Sequence, residues 1–274
     1  MTKVRIGIDV MGGDFAPSAT IEGSVLAFDN LADCIEIVLI GDQDQITNEL
    51  KKHQVDSSAF SIVHAPDIIE MGDHPTKAFV QKPKSSIAVG FGLLKKGQID
   101  GFASAGNTGA MFVGGYMSVK PVPGILRPCI SSVLPKLDGG VNVILDVGAN
   151  ADCKADVLYQ FGILGSLFAE HVCGVQTPRV GLLNIGEEES KGNMLTIAAH
   201  EMMKDSTDFN FYGNIESRHL FDDKCDVIVC DGFSGNVILK QAESVYSLIK
   251  QRQIEDAYFD RFNYENYGGT PILG

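Results

Sequence analysis

Gly106-Asn-Thr-Gly109 and Glu187-Glu-Glu-Ser-Lys-Gly-Asn193 hold the residue types from which an oxyanion site is built. In the first stretch, glycines let the backbone approach a ligand closely and adopt positive φ. A helix opening there adds free N–H groups and a partial positive charge. Asn107 and Thr108 contribute an amide and a hydroxyl. The same residues also read as a tight turn in which Asn107 caps the helix. In the second stretch, Lys191 and Asn193 sit where they can flank a bound anion, with Gly186 just before the acidic run. The three glutamates equally suit a solvated helix start, where the dipole favours acidic residues. Met11-Gly-Gly-Asp14 offers Gly12 and Gly13 as a further anion loop, or simply as a Gly-rich turn. Asp9, Asp146 and Asp231 each close a short apolar run. They hydrogen-bond loop amides in one reading and orient a lysine or a bound phosphate in the other. Asn150, Asn184 and Asn236 add small amides at comparable positions.

Six apolar runs end in these Gly/Asn/Asp clusters. They are Arg5–Val10, Phe102–Ala105, Val143–Val147, Val180–Leu183, Phe209–Tyr212 and Asp226–Cys230, the fifth running into Gly213-Asn214. Runs of this length bounded by turn residues read as buried strands of a parallel sheet. Ligands of open α/β sheets bind at the carboxyl ends of such strands, so the clusters are expected along one edge of a sheet. Helical spacing marks 18–31, 43–53, 85–96, 108–117, 157–171 and 237–253, with Ser85 as a cap. Residues 187–204 begin as a charged loop and become helical. Further strands fit 35–40 and 60–64, and the strand that carries the Phe102–Ala105 run is read over 99–103. Residues 67–84, with Pro75 and Pro83, read as a long loop or short helices. Asp138-Gly-Gly140 between two apolar runs predicts an antiparallel hairpin. The sum is a three-layer α/β/α sandwich, mostly parallel with one antiparallel hairpin, as a single catalytic domain over 1–274 or two interlocked lobes.

A length of 274 residues, 45% hydrophobic and 21% charged, is ordinary for a globular protein with a substantial core. Glycine, at 30 residues, exceeds the usual ~7%, largely in the strand-end clusters. The net charge of −13 argues against a nucleic-acid partner, which needs a basic footprint. Six scattered cysteines without a CxxC pair read as reduced thiols of a cytoplasmic protein. No signal peptide and no membrane-length apolar stretch is visible. The histidines lack metal-ligand spacing, and no metal is expected. Neither the dinucleotide G-x-G-x-x-G nor the P-loop G-x-x-x-x-G-K-[ST] occurs. Gly232-Phe-Ser-Gly235 lacks the spacing of a hydrolase nucleophile elbow.

Several segments resemble, in order, the phosphate acyltransferase family of bacterial phospholipid synthesis, the acyl-acyl carrier protein:phosphate transacylases. They are Ile8–Asp14, Ser104–Ala110, Leu145–Ala151, Gly181–Glu189 with Lys191–Asn193, Tyr212–Glu216, Val229–Val237 and Phe262–Pro271. The chain departs from the family pattern in two places. It stops at Gly274, where the family continues through a further Gly-rich strand and helix. Residues 237–260 are also shorter than the helical region expected there, which the family links to membrane-surface contact.

The resemblance implies a fold shared with phosphotransacetylases and the isocitrate/isopropylmalate dehydrogenase group, and a homodimer. It also implies transfer of a long-chain acyl group from acyl carrier protein to inorganic phosphate, with no cofactor. A membrane glycerol-3-phosphate acyltransferase would consume the product, and a peripheral membrane location would suit that hand-over. In this reading Gly106–Gly109 and Lys191 carry the phosphate and Asn184 or Asn236 faces the tetrahedral oxyanion. Asp9, Gly12, Gly13, Asp146, Asn150, Gly186, Asn193 and Asp231 complete the site. Lys77, Lys82 and Lys84 are expected to meet the acidic carrier protein. Two rivals stay open: a metal- and NAD-dependent decarboxylating dehydrogenase using Glu187–Glu189, Asp146 and Asp231, and a non-catalytic acyl-carrier or lipid-binding protein.

Overall fold

The computed structural model describes residues 3–262 and 269–274. The chain forms two compact units, Met1–Lys120 and Pro121–Gly274. The apolar runs therefore divide between two sheets instead of sharing one edge. Most of the Phe262–Pro271 motif (263–268) lies outside the described residues.

The first unit holds a parallel sheet in the order β3-β2-β1-β4. Its strands are β1 (Val4–Asp9), β2 (Ile35–Gly41), β3 (Ser61–His64) and β4 (Gly101–Ser104). The continuous apolar run of β2 is explained by burial on both faces. Ile37 and Leu39 pack with Ile21 of α1 (Ser18–Leu31) and with Ile46 and Leu50 of α2 (Gln43–Lys52). Val38 and Ile40 face the other way, with Ile99 and with Val89 and Leu93 of α4 (Ser86–Lys95). Ser85 caps α4 by accepting from Ala88 N–H. Residues 67–84 contain one short helix, α3 (Pro75–Gln81), and the unit ends on α5 (Thr108–Ser118).

The second unit holds a six-stranded sheet in the order β10-β5-β6-β9-β7-β8. β5 (Cys129–Pro135) and β6 (Val141–Leu145) form the expected antiparallel hairpin, with Gly139 at φ +111 in its turn. β7 (Arg179–Asn184), β8 (Asn210–Glu216) and β9 (Val227–Val229) run parallel to β6, and β10 (Ile272–Leu273) pairs antiparallel with β5. One face, with Val143, Leu145, Val180, Leu182, Val227 and Val229, packs on Leu158 and Phe161 of α6 (Ala155–His171) and on Ala199 and Met203 of α7 (Met194–Met203). Helix α8 (Gly232–Gln251) lies against β6. A short α9 (Ala257–Asp260) follows.

Two boundaries differ from the sequence reading. Gly213-Asn214 is not a strand-ending turn, because β8 continues to Glu216. Gly213, at φ +120, sits at a register shift where Val180 pairs with Phe211 and Gly181 with Gly213. Tyr212 is the extra residue of that bulge. Helix α8 starts at Gly232 rather than near Val237, so Asn236 belongs to its first turns and not to a loop.

Candidate functional site

In the first unit the loops after β1 and β4 lock together. Asp9, buried, accepts from Met11 N–H (3.0 Å) and from the Ser104 hydroxyl (2.6 Å), and Ser104 Oγ in turn accepts from Gly106 N–H (2.9 Å). A Cβ on Gly12 would stand 2.5 Å from Asp9 Oδ2 and 2.7 Å from Gly106 N, which is why a side chain is excluded there. Gly13 holds φ +105. Asn107 caps α5 by accepting from Ala110 N–H (2.9 Å). Its Nδ2 donates to the carbonyls of Glu70 (3.1 Å), Met71 (3.2 Å) and Asp73 (3.1 Å). The Asn107 amide is thus fully engaged inside the protein, whereas sequence reasoning offers it to a ligand. Gly109 is required for close packing, since its Cβ would lie 2.4 Å from Pro75 Cγ. What stays presented is the exposed Thr108 and the first N–H groups of α5, which have no intrahelical acceptor. Lys82 donates to Ile68 O (2.8 Å) and pairs with Asp73 (2.6 Å). It braces its own segment, and Lys77 and Lys84 remain exposed.

In the second unit three loops stand side by side, because β6, β9 and β7 are consecutive in the sheet. With ~4.8 Å between strands, the carboxyl ends of β6 and β7 lie roughly 10 Å apart. After β6, the fully buried Asp146 accepts from Ile130 N–H (2.9 Å), Ala149 N–H (3.3 Å), Asn150 N–H (2.6 Å) and Asn150 Nδ2 (3.0 Å). Asn150 also donates to Pro128 O (2.8 Å) and accepts from Gly232 N–H (2.8 Å). Both residues organise the loop.

After β9, Asp231 caps α8, accepting from Ser234 N–H (2.8 Å) and Ser234 Oγ (2.9 Å). The helix start presses on Asp146: a Cβ on Gly232 would come within 2.7 Å of its Oδ2, and one on Gly235 within 1.9 Å of its carbonyl oxygen. Asn236 is exposed on this turn, its side chain beside Gly148.

After β7, Asn184 closes the loop to residue 193. Its Nδ2 donates to Lys191 O (3.0 Å) and its Oδ1 accepts from Ile185 N–H (2.9 Å). Lys191 N–H donates to Glu188 O (3.0 Å). Gly186 is buried under Lys191, whose Cγ would meet a Cβ there at 2.8 Å. Asn193 caps α7 in a reciprocal capping box with Thr196, so its side chain is engaged as well. Lys191 is exposed, and among the described residues no side-chain partner holds its ammonium. The structure therefore gathers Asp146, Asn150, Asn184, Gly186, Lys191, Asn193, Asp231 and Asn236 on one sheet edge. It leaves Lys191 and Asn236 with side chains directed to neither a cap nor a loop tie.

Three features went unassigned in the sequence. Ser104 bridges Asp9 to Gly106, and Asn214 and His200 lie behind the Lys191 loop. Among the described residues Glu187, Glu216 and His219 bring ligand-type atoms within 4.8 Å of one another. Lys224 already serves that cluster: its ammonium pairs with Glu187 and lies 3.0 Å from His219 Nε2. The Lys224 hydrogen bond holds the Glu187 carboxyl below its ordinary range. Asp146 and Asp231 are engaged by backbone N–H groups, the Asn150 amide and the Ser234 hydroxyl.

Comparison with known proteins decides the family. A family model described as a fatty acid synthesis protein matches residues 4–263. A phosphate acyltransferase of Desulforamulus reducens is 44% identical, the match covering 99% of this chain and 85% of the relative. One of a Cyanothece species is 46% identical over 89% of this chain and 70% of its own length. The chain belongs to the phosphate acyltransferase family. It is thus an acyltransferase. Among solved structures, a phosphotransacetylase of Streptococcus pyogenes superposes with TM-score 0.67 at 16% identity, covering 99% of this chain and 85% of that one. A branched-chain phosphotransacylase of Enterococcus faecalis gives 0.61 at 13% identity, covering 88% and 84%. At such identities the likeness is one of fold, and it agrees with the α/β architecture of this family member.

One more feature of the second unit bears on an acyl substrate. An apolar groove of about 590 Å³ runs along α8, lined by Ile238, Ala242, Val245, Tyr246 and Ile249 with Phe221 opposite. Its volume falls in the ~300–1,000 Å³ range of ligand pockets. From Ile238 to Ile249 the helix rises about 16 Å, at ~1.5 Å per residue. Among the described residues no helix is long and apolar enough to cross a membrane.

Proposed function

We propose that this chain moves a long-chain acyl group from the thioester of acyl carrier protein to inorganic phosphate, giving an acyl phosphate for phospholipid synthesis. The observation that carries the reading is Lys191: an exposed ammonium on a loop fixed at its backbone, beside the start of α7, at the carboxyl edge of β7. A cation carried by a tied backbone, next to helix N–H groups, suits a phosphate dianion. Phosphate at neutral pH needs little deprotonation, so the task is positioning and charge stabilisation. A phosphate oxygen attacks the thioester carbonyl carbon, the carbonyl electrons move to its oxygen, and the collapse expels the carrier thiolate. Asn236, on the first turns of α8, is the amide for that transient oxyanion. The α8 groove is the sleeve for the acyl chain, since each buried CH₂ contributes ~0.8 kcal/mol.

In the first unit, the Gly12–Gly13 loop and the start of α5 form a second cradle of backbone donors. The exposed Lys77 and Lys84 are its candidates for meeting an acidic carrier protein. A homodimer, and hand-over of the product to a membrane glycerol-3-phosphate acyltransferase, belong to the same proposal.

The deciding assay measures acyl phosphate from a long-chain acyl carrier protein with and without phosphate, in the presence of EDTA. Phosphate-dependent, EDTA-insensitive turnover supports the reading. Nicotinamide reduction by a hydroxy acid would replace it with the dehydrogenase, and acyl binding without turnover with a carrier.

A further inference from the structure

The motif Tyr212-Gly-Asn-Ile-Glu216 has no part in the chemistry proposed above, yet its asparagine lies directly behind the Lys191 loop. Asn214 is 3% exposed, on β8, two residues past the bulge that Gly213 allows. Its Nδ2 donates to Glu188 O at 2.9 Å. The same carbonyl oxygen accepts from Lys191 N–H at 3.0 Å. One oxygen therefore joins the asparagine side chain to the backbone of the lysine.

The other end of the amide is equally determined. Asn214 Oδ1 lies 3.1 Å from Nδ1 of His200, which is 5% exposed on α7. Because Nδ2 donates to a carbonyl, Oδ1 must accept, and His200 must carry its proton on Nδ1. A flipped amide would set two oxygens against each other at Glu188. The imidazole is itself fixed, with its ring edge-on to Phe211 at 5.2 Å and 71°.

We infer that Asn214, oriented by His200, is the positioning residue for Lys191: it fixes the height of the 185–193 loop through Glu188 O and so aims the ammonium at phosphate. The bulge has a use in this view, since it re-aims a side chain at the end of an edge strand. Asn184 holds the same loop from its other side, at Lys191 O. The loop is thus tied at two carbonyls while the ammonium stays outside.

The inference rests on the reading that Lys191 meets phosphate, and the experiment keeps the two apart. The variants are Asn214→Ala and the isosteric Asn214→Asp, which replaces the donor at Glu188 O with an acceptor. Hydrogen exchange of the 185–193 amides, without substrate, reads the tie alone. Both variants should raise exchange there, with the core strands β6 and β9 unchanged.

Steady-state kinetics read the aim. The phosphate KM should rise about tenfold, with the acyl-thioester KM within about twofold. In a Lys191→Ala background the Asn214 change should add almost nothing, because contacting residues of one network are non-additive. His200→Ala should produce a weaker form of the same pattern.

Wild-type loop exchange in both variants overturns the inference. So does a phosphate KM effect that is fully additive with Lys191→Ala, or a rise of both KM values together. Loosened loop exchange in a protein that never consumes phosphate would leave the tie standing and overturn the phosphate assignment.

Discussion

The two edges of the second unit's sheet handle charge in opposite ways. At the amino edge, where β7 begins and β9 is about to, Lys136, Arg179, Asp223 and Asp226 satisfy one another. Lys136 is 4% exposed and pairs with Asp226 (2.6 Å) and Asp223 (2.8 Å). Arg179 pairs with the same two carboxylates at 2.9 and 2.7 Å. Burial pushes the Asp226 carboxyl up, but hydrogen bonds from Arg179 and Lys136 outweigh it and hold it at about 2. At the carboxyl edge the buried carboxylate, Asp146, is satisfied by backbone and amide N–H groups, and the cation, Lys191, is left facing outward. An edge whose charges are all answered can only stabilise. The edge that leaves one cation unpaired is the one to which the phosphate is assigned in the proposal above.

The largest effect expected is at the closed edge. Asp226→Ala leaves Lys136 buried with a single, more exposed partner. Breaking a buried pair this way costs about 3 kcal/mol, a fall in Tm of roughly 6–12 °C, with kcat/KM of the folded protein unchanged. Next comes the open edge, where Lys191→Ala should lower kcat/KM for phosphate about 100-fold, or about 2.7 kcal/mol. Tm should move by less than ~2 °C, since exposed side chains contribute little to stability. If one variant produced both effects, the division between the edges would fail.

Acid sharpens the contrast. Asp226 titrates at about 2 in the folded chain and near ~3.9 unfolded. Its depressed value contributes stability above pH ~4 that is lost as pH falls toward 2, about 2.5 kcal/mol in all. Urea midpoints at pH 5 and pH 2.5 should show about two-thirds of that loss in the wild type and much less of it in Asp226→Asn. Smallest is the effect of Ala242→Phe in the α8 groove. It should lower kcat/KM for a long-chain thioester about tenfold while leaving a butyryl thioester nearly unchanged, which separates the chain-length readout from the charged groups of both edges.

What the sequence discloses follows the range of the forces involved. Caps and hairpins are local, so Ser85, Asn107 and Asp138-Gly-Gly140 are legible from a few neighbours. Asp231-Gly-Phe-Ser-Gly-Asn236 misleads because two glycines usually mark a turn. Here they let α8 touch Asp146, and the helix starts at the first of them. Gly213-Asn214 misleads in the same way, serving a bulge in place of a turn. Ser104 with Asp9, and Lys136 with Asp226, are separated by 95 and 90 residues. Partners so far apart are brought together by the fold alone and leave no local pattern. Of the candidate site, the loop that holds Lys191 could be read, whereas the helical place of Asn236 could not. Which amides remain for a ligand could not, because that depends on carbonyls elsewhere, as Asn107 demonstrates with residues 70, 71 and 73.

Gly12 and Gly106 constrain how this protein can change over generations. A methyl at position 12 would collide at once with Asp9 Oδ2 (2.5 Å), Gly106 N (2.7 Å) and Ser104 Oγ (2.8 Å). No single substitution at those neighbours clears all three. A side chain at position 12 is therefore excluded for as long as the loop after β4 keeps its present place against the loop after β1.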